Sequence, residues 1–331
     1  MVRTVRFHGL GGPEVLRLEE AGIGEPGPGE LLIRVDAIGL NRAEVLFRSG
    51  RYIEPVREFP ARLGAEAAGA VEAVGEGVAG FAVGDAVSVV PAFSMNDYAV
   101  YAERAIVPAR AVLHRPEGLD AVGGAAVWMP YVTAYGALVD AGRLRAGDAV
   151  VVTAASSSVG LAAIQIANRV GAVPIATTRT AAKRDALLKA GAAEVVVTAE
   201  EDVAGRVAAL TGGRGAEFVF DAVSGPGVSE LLGALAPGGT LFVYGELSGR
   251  EGLLPPLALL AGRSIRGYTL HEVTRDRESL ARAEAFVASG LRSGAFAPVV
   301  DRVFGLAEIA EAHRYMEAGE QVGKIVVTVD H

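Results

Sequence analysis

The chain has 331 residues, of which 51% are hydrophobic and 21% charged, and its formal net charge at pH 7 is -8. This length favours two domains, and an acidic chain without a dense basic cluster argues against nucleic acid and anionic membrane as partners. The absence of cysteine excludes disulfides, thiolate nucleophiles and cysteine-bound zinc. The N-terminus lacks the apolar core of a signal peptide, so we expect a cytoplasmic protein without a membrane span.

The pattern of segments changes twice along the chain. Residues 1–121 contain short strand-like segments, such as RTVRF and ELLIRVDAI, separated by glycine- and proline-rich turns. In residues 122–267 strands alternate with helices, and this alternation predicts an α/β fold with a doubly wound parallel sheet of the Rossmann type. Residues 268–331 end in KIVVTV, a strand that needs a sheet to join, so we expect this tail to complete the first domain.

A phosphate-binding turn is predicted in the stretch VVVTAASSSVGLAAIQIA. Ala154, Ser157 and Gly160 have the A-x-x-S-x-x-G spacing of a dinucleotide fingerprint in which only the last glycine is kept. A pyrophosphate would bind the N–H groups at the start of the following helix, so Ser158 and Val159 are further candidates. The alternative is that these serines only cap a helix that binds nothing.

The end of the next strand bears on the choice of cofactor. An NAD site places an acidic residue there, roughly 20 residues after the phosphate turn. Here the segment IATTRTAAKR has Thr178 and Arg179 at that place and Lys183 one helical turn later. Basic side chains suit a ribose 2′-phosphate, so the sequence predicts NADP(H). The alternative is that Arg179 and Lys183 are solvated charges at the start of a helix.

Several stretches, in order over nearly the whole chain, resemble the zinc-independent quinone oxidoreductases, the zeta-crystallin group of the medium-chain dehydrogenase/reductase superfamily. They are GLNRAEVLFRSGRY, LGAEAAGAVEAVGEGV, GDAV, PYVTAYGAL, SVGLAAIQIA, FDAVSG, LAPGGTLFVYG and GKIVV. The resemblance implies a GroES-like β-barrel catalytic domain completed by the tail, with the active site in a cleft beside the cofactor domain.

The resemblance also implies roles for individual residues. Asn41 matches an asparagine near the nicotinamide, and Tyr52 matches a tyrosine that lines the cleft and is associated with proton donation in related enoyl thioester reductases. Tyr52 could instead only pack its loop. Further residues match positions that contact or flank the cofactor, and they are Thr133, Val223, Gly245 and Lys324.

Two departures from family patterns bear on the site. Zinc alcohol dehydrogenases carry a cysteine near Asn41 and a histidine after Gly64, where this chain has Ala65, so no metal is expected; Glu66 is interpreted as structural. The phosphate turn of the family usually has two consecutive glycines at the positions of Ser157 and Ser158. Because serine tolerates positive φ less well than glycine, this change bears directly on the affinity of the turn for a cofactor.

The sequence therefore predicts a zinc-free NADPH-dependent oxidoreductase that transfers hydride to a quinone or an α,β-unsaturated carbonyl compound. One alternative is an enoyl thioester reductase of fatty-acid or polyketide type. An alternative of another class is a non-catalytic NADPH-binding structural or regulatory protein. Members of the superfamily commonly dimerise through the last strands of the cofactor sheet, which implies a homodimer here, with pairing through TLFVYG and SIRGYTL.

Overall fold

The computed structural model describes all residues from Met1 to His331. Its strands are β1 (Val2–Phe7), β2 (Arg17–Ala21), β3 (Glu30–Gly39), β4 (Ala61–Arg62), β5 (Ala67–Val74), β6 (Ala86–Val89), β7 (Arg104–Pro108), β8 (Val112–His114), β9 (Ala149–Val152), β10 (Val173–Thr178), β11 (Glu194–Val197), β12 (Ala216–Asp221), β13 (Leu235–Val243), β14 (Ser264–Gly267), β15 (Val300–Gly305) and β16 (Lys324–Thr328).

The helices range from 4 to 16 residues in length. They are α1 (Arg42–Arg48), α2 (Ala121–Gly124), α3 (Trp128–Tyr135), α4 (Ser158–Val170), α5 (Arg184–Lys189), α6 (Val203–Leu210), α7 (Val228–Gly233), α8 (Leu257–Leu260), α9 (His271–Thr274), α10 (Arg277–Arg292) and α11 (Ile309–Ala318). A π-helical turn, Gly136–Ala141, continues α3.

The chain forms two compact units. The first unit comprises Met1–Met129, Thr274–Leu280 and Pro298–His331. It contains a three-stranded antiparallel sheet, β2-β1-β4, and a larger sheet of order β15-β16-β3-β5-β6-β8 in which β7 also pairs with β3. The last strand, β16, pairs antiparallel with β3, so the end of the chain is part of the sheet that strands from the first part of the chain build.

The second unit comprises Pro130–Val273 and Ala281–Ala297. Its sheet has six parallel strands in the order β11-β10-β9-β12-β13-β14, which confirms the predicted doubly wound fold. Strand β9 is buried along its whole length because β10 and β12 pair with its two edges and α4 packs against it. The strand order reverses beside β9, which is where ligands bind in sheets of this topology.

The division differs from the predicted boundaries in the tail. Residues 268–273 and 281–297 belong to the second unit, whereas the sequence placed all of 268–331 in the first domain. The cause is an aromatic cluster within the second unit. The ring of Phe286 lies 5.0 Å from that of Tyr135, and the ring of Phe296 lies 5.0 Å from that of Tyr131.

The stretch Ala121–Ala141 is long and apolar enough to cross a membrane by length and composition, although it contains glycine, proline and threonine. In the folded protein 83% of its most apolar window is buried. Core helices of globular domains have the same property, so the stretch is weak evidence for a membrane span.

Candidate active site

The predicted phosphate turn joins β9 to α4 at the carboxyl edge of the six-stranded sheet. Ser157 is the N-cap of α4, and its hydroxyl accepts a hydrogen bond from the Gly160 N–H at 3.1 Å. Ser158 and Val159 form the first turn of the helix, where N–H groups have no partner within the helix. Capping and anion binding are therefore compatible here, because the cap engages the N–H of Gly160 and leaves the two preceding N–H groups for a phosphate.

The φ angles of the turn show whether the serines at the positions of the missing glycines are strained. Ser157 has φ -69° and Ser158 is helical, so neither serine adopts the left-handed region. The strained residue is Ala154, with φ +44°. Neither serine therefore needs the positive φ that favours glycine, and any conformational cost of the turn falls at Ala154, the first fingerprint position.

Gly160 fulfils the packing role that its position predicts. A Cβ atom on this residue would lie 2.6 Å from both the Cα atom and the carbonyl oxygen of Ala155. Because backbone atoms cannot move aside as a flexible side chain can, only glycine allows α4 to approach the turn this closely. The cradle for a pyrophosphate therefore depends on this single remaining glycine.

The residues predicted to select the cofactor lie at the end of β10 and just after it. Lys183 donates a hydrogen bond from Nζ to the Ser156 hydroxyl at 3.2 Å, which brings an ammonium group to the phosphate turn. The Thr178 hydroxyl donates to the Thr180 carbonyl at 3.2 Å. Arg179 is exposed and forms no ion pair, so its charge is available to a ligand.

Val223 lies in a turn after β12 that is fixed by a buried acid. The Asp221 carboxylate accepts hydrogen bonds from the Thr153 hydroxyl at 2.6 Å and from the N–H groups of Val223 and Ser224, each at 2.9 Å. Ser224 has φ +58°, a conformation that costs about 1–3 kcal/mol. Asp221 therefore holds a strained turn at the carboxyl edge of the sheet.

The two other predicted cofactor residues of this unit are also at or near buried positions. A Cβ on Gly245 would lie 2.8 Å from the Ala222 carbonyl oxygen, so this glycine lets the end of β13 approach the Asp221 turn. Thr133 is 6% exposed on α3. Its helix also carries Tyr131, which donates to Gln165 at 2.6 Å and, together with Tyr135, packs against the aromatic cluster as a core residue.

A second group of candidate residues lies in the first unit and forms a buried charged cluster. Lys324 donates from Nζ to Asn41 Oδ1 at 2.5 Å and to Glu66 Oε2 at 2.6 Å, and its side chain is only 1% exposed. Asn41 Nδ2 donates to the Gly39 carbonyl at 3.0 Å, and Glu66 Oε1 accepts the Met129 N–H at 2.7 Å. We call Asn41, Glu44, Glu66 and Lys324 the buried cluster.

The cluster changes how Asn41 and Lys324 are interpreted. The family resemblance assigned Asn41 a catalytic role near the nicotinamide and Lys324 a contact with the cofactor, and each has polar partners within the first unit in this structure. Glu66 was interpreted as structural, and its carboxylate contacts Lys324, Asn41 and the Met129 N–H. A direct contact of Asn41 or Lys324 with a cofactor stays a prediction.

Glu44 is the member of the buried cluster that sequence reasoning missed. It occupies the N3 position of α1, and its carboxylate accepts the Asn41 N–H at 2.8 Å and the Ala65 N–H at 3.3 Å. Burial raises the pKa of Glu44 to about 7, while Lys324 and the hydrogen bonds lower it. The N-x-x-E spacing of a capping box in NRAE was the available signal.

We predict an inverted pH dependence of stability from Glu44. Its folded-state pKa of about 7 lies above its ordinary value of 4.5, so its contribution is fully present below pH 4.5 and is lost as the pH rises through about 7. The shift corresponds to about 3 kcal/mol. Urea unfolding at about pH 5 and about pH 8 measures this loss. Glu44→Gln should reduce the difference, and an unchanged difference would assign it to other groups.

Tyr52 lies in the loop after α1, with its ring edge-on to Phe47 at 6.1 Å. Burial raises the pKa of Tyr52 to about 12, and the charges of Glu44 and Glu54 add to the effect while Arg275 opposes it. The phenol therefore keeps its proton at neutral pH. This is the state that proton donation to a developing anion requires.

The structure contains no group of three or more histidine, cysteine, aspartate or glutamate side chains arranged to hold a metal ion. At the position after Gly64, where zinc alcohol dehydrogenases carry a histidine, this chain has Ala65, whose side chain cannot bind a metal ion. The adjacent Glu66 is paired with Lys324. A positively charged side chain thus lies against the Glu66 carboxylate.

The similarity to known proteins extends over nearly the whole chain. The family model for a zinc-binding dehydrogenase matches residues 158–289, and that for an alcohol dehydrogenase GroES-like domain matches residues 27–117. Human quinone oxidoreductase is 33% identical, over 99% of this chain and 98% of its own. A 2-haloacrylate reductase of a Burkholderia species is 29% identical, over 99% of each.

Structural similarity agrees with this result. The crystal structure of Escherichia coli quinone oxidoreductase complexed with NADPH aligns with a TM-score of 0.91 at 29% identity, covering 98% of this chain and 99% of that one. The GroES-like unit, the doubly wound sheet and the phosphate turn define a medium-chain dehydrogenase/reductase. Within that superfamily the chain belongs to the zinc-independent quinone oxidoreductase group.

Proposed function

We propose that this protein is a zinc-free NADPH-dependent reductase of quinones or α,β-unsaturated carbonyl compounds. The observation that carries the proposal is the phosphate turn at the carboxyl edge of the sheet, in a chain that resembles quinone oxidoreductases along its full length. When bound, the reduced nicotinamide supplies a hydride. An acceptor already polarised by conjugation needs no metal ion to receive it.

The residues of the chain have separable tasks in this reaction. The N–H groups of Ser158 and Val159 bind the pyrophosphate, and the turn held by Asp221 fixes the backbone beside the cofactor. Tyr52 holds a proton on its phenol oxygen for the anion that forms on the reduced substrate. Binding and proton supply suffice for a conjugated acceptor, which is consistent with a site that lacks metal ligands.

The test is the consumption of NADPH with four matched acceptors: a quinone, an enone, a simple aldehyde and an enoyl thioester. The proposal expects rapid turnover of the quinone or the enone and little turnover of the aldehyde, which depends on Lewis-acid activation in the zinc enzymes. Far better turnover of the thioester would assign the protein to enoyl reduction. Stoichiometric NADPH binding without turnover of any acceptor would indicate a non-catalytic protein.

Preference for NADPH over NADH is a finer proposal and rests on Lys183 and Arg179. We predict that Lys183→Ala or Arg179→Ala weakens NADPH binding about 10–100-fold, since each removes a charge-assisted bond to the 2′-phosphate. NADH binding should change little. Fluorescence titration with both cofactors checks this result. Lys189→Ala is the matched control, because it removes an exposed lysine from the end of α5. Equal losses for NADPH and NADH would contradict the proposal.

We also propose that the protein is a homodimer that associates through the β14 edge of the six-stranded sheet. Strand β14 is exposed along its length, and an edge strand of this kind can pair with a second copy. Three leucines in the preceding segment are 81–88% exposed, and they are Leu253, Leu254 and Leu257. Such a patch is typical of an interface.

Sedimentation at micromolar concentration tests the dimer. We predict a dimer mass for the native chain and a monomer mass for Leu254→Asp combined with Leu257→Asp, because the two carboxylates would be buried unpaired at the interface. Circular dichroism should show that the variant remains folded. Leu188→Asp, at an exposed position on α5, is the control and should remain dimeric. A native monomer would contradict the proposal.

A further inference from the structure

Three arginines form a row across the small sheet of the first unit. Strand β1 lies between β2 and β4, and the antiparallel register places Arg6 opposite Arg17 on one side and opposite Arg62 on the other. Residues directly opposite each other share one face of a sheet, and adjacent strands lie about 4.8 Å apart. The three guanidinium groups therefore extend from one face in a line. We call them the arginine row.

No carboxylate compensates the arginine row. None of the three side chains forms an ion pair within 4.0 Å. The nearest acid in the register is Glu19, opposite Thr4, and its carboxylate is bound by His8 at 2.7 Å. Like charges directly opposite each other destabilise a strand pair, so the row has a cost that an anion would offset.

The central arginine, Arg6, also has a hydrogen-bond donor that no group of the protein satisfies. Arg6 Nε is buried and has no hydrogen-bond partner. Partial desolvation and the like charge of Arg6, which lies opposite it in the register, lower the pKa of Arg62. A buried donor without a partner is rare in folded proteins and indicates a missing water or ligand. A ligand that accepts from Arg6 Nε and also carries negative charge would satisfy the donor and neutralise the row.

We propose that the arginine row is a binding site for a phosphate-class dianion, either inorganic phosphate or a phosphate monoester. The planar fork of an arginine matches phosphate oxygens with two parallel hydrogen bonds. Arg6 and Phe7 are successive residues and so face opposite sides of β1. Phe7 packs against Phe47, which contacts Tyr52, so the arginine row lies on the face away from Tyr52.

The experiment titrates the full-length protein with inorganic phosphate and with methyl phosphate, at constant ionic strength set by chloride. Saturating NADPH is present so that the phosphate subsites of the cofactor are filled. The Nε–H resonances of arginine, assigned with Arg6→Lys, report on the buried donor directly. We expect a saturable shift of the Arg6 resonance and a saturable rise in Tm. Tighter binding of methyl phosphate than of inorganic phosphate would identify a monoester as the ligand, and the reverse would identify the free ion.

Variants that remove the same charge at the arginine row or elsewhere distinguish a specific phosphate site from a general effect of salt. Arg17→Gln and Arg62→Gln should each weaken phosphate binding about tenfold, and the double variant should abolish saturation. Arg145→Gln with Arg292→Gln removes the same charge from exposed positions elsewhere and should leave binding unchanged. Reductase activity should be the same in all of these variants. A Tm rise that never saturates, or that is equal in the double variant and the control, would overturn the proposal.

Discussion

Replacing Lys324 with methionine is expected to lower the free energy of unfolding by about 3–5 kcal/mol, the range found when one partner of a buried ion pair is removed. Its ammonium is the only cation bound to Glu66, and it also lowers the pKa of Glu44. Without it the cluster holds two buried carboxyl groups and no compensating charge. Urea unfolding near pH 7 measures the loss, and the pH profile should shift because the pKa of Glu44 rises further.

A double variant makes this prediction specific to charge. Lys324→Met combined with Glu66→Gln removes both charges and should recover much of the stability, since the cost of an unpaired charge then disappears. A single variant that is no less stable than the double variant would contradict the argument. The same proteins test the predicted cofactor contact of Lys324. If Lys324 acts within the buried cluster alone, the double variant should bind NADPH as tightly as the native chain does.

The fold was predictable because its signals are local. The alternation of apolar strands and helical segments in the middle of the chain gives the parallel sheet, and right-handed crossovers leave few arrangements for six strands. The phosphate turn was predictable for the same reason, since β9, the serine cap and Gly160 are consecutive in sequence. The backbone angles of the serines were not, because serine occurs at both capping and strained positions and only the folded turn distinguishes them.

The buried cluster could not be derived in the same way. Lys324 and Asn41 are 283 residues apart, and they meet because β16 pairs with β3 in one particular register. A shift of that register by one residue would turn Lys324 to the other face of the sheet. The family resemblance identified both residues without showing that they contact each other. Asp221 was missed for a related reason, because its partners Thr153 and Ser224 lie on different loops at the sheet edge.

Tyr52→Phe is expected to lower kcat for an enone by about 100-fold or more while leaving NADPH affinity unchanged. Proton donation by a placed side chain contributes about 10²–10⁴-fold to a rate. The pKa of Tyr52 is raised to about 12, so its phenol is protonated across the neutral range. Phenylalanine keeps the edge-on packing against Phe47 and removes only the hydroxyl. Initial rates with an enone and with a quinone give the measurement.

The comparison of the two acceptors decides what the hydroxyl does. Enone reduction must place a proton on carbon, which is slow without a positioned acid, whereas the oxygen anions of a reduced quinone can take protons from water. The loss should therefore be large for the enone and within a few-fold for the quinone. Tyr98→Phe, which removes a hydroxyl bound to Glu30 in the same unit, is the control and should affect neither rate. Full enone activity in Tyr52→Phe would mean that the tyrosine only packs its loop, and the proton would then have to come from another group or from water.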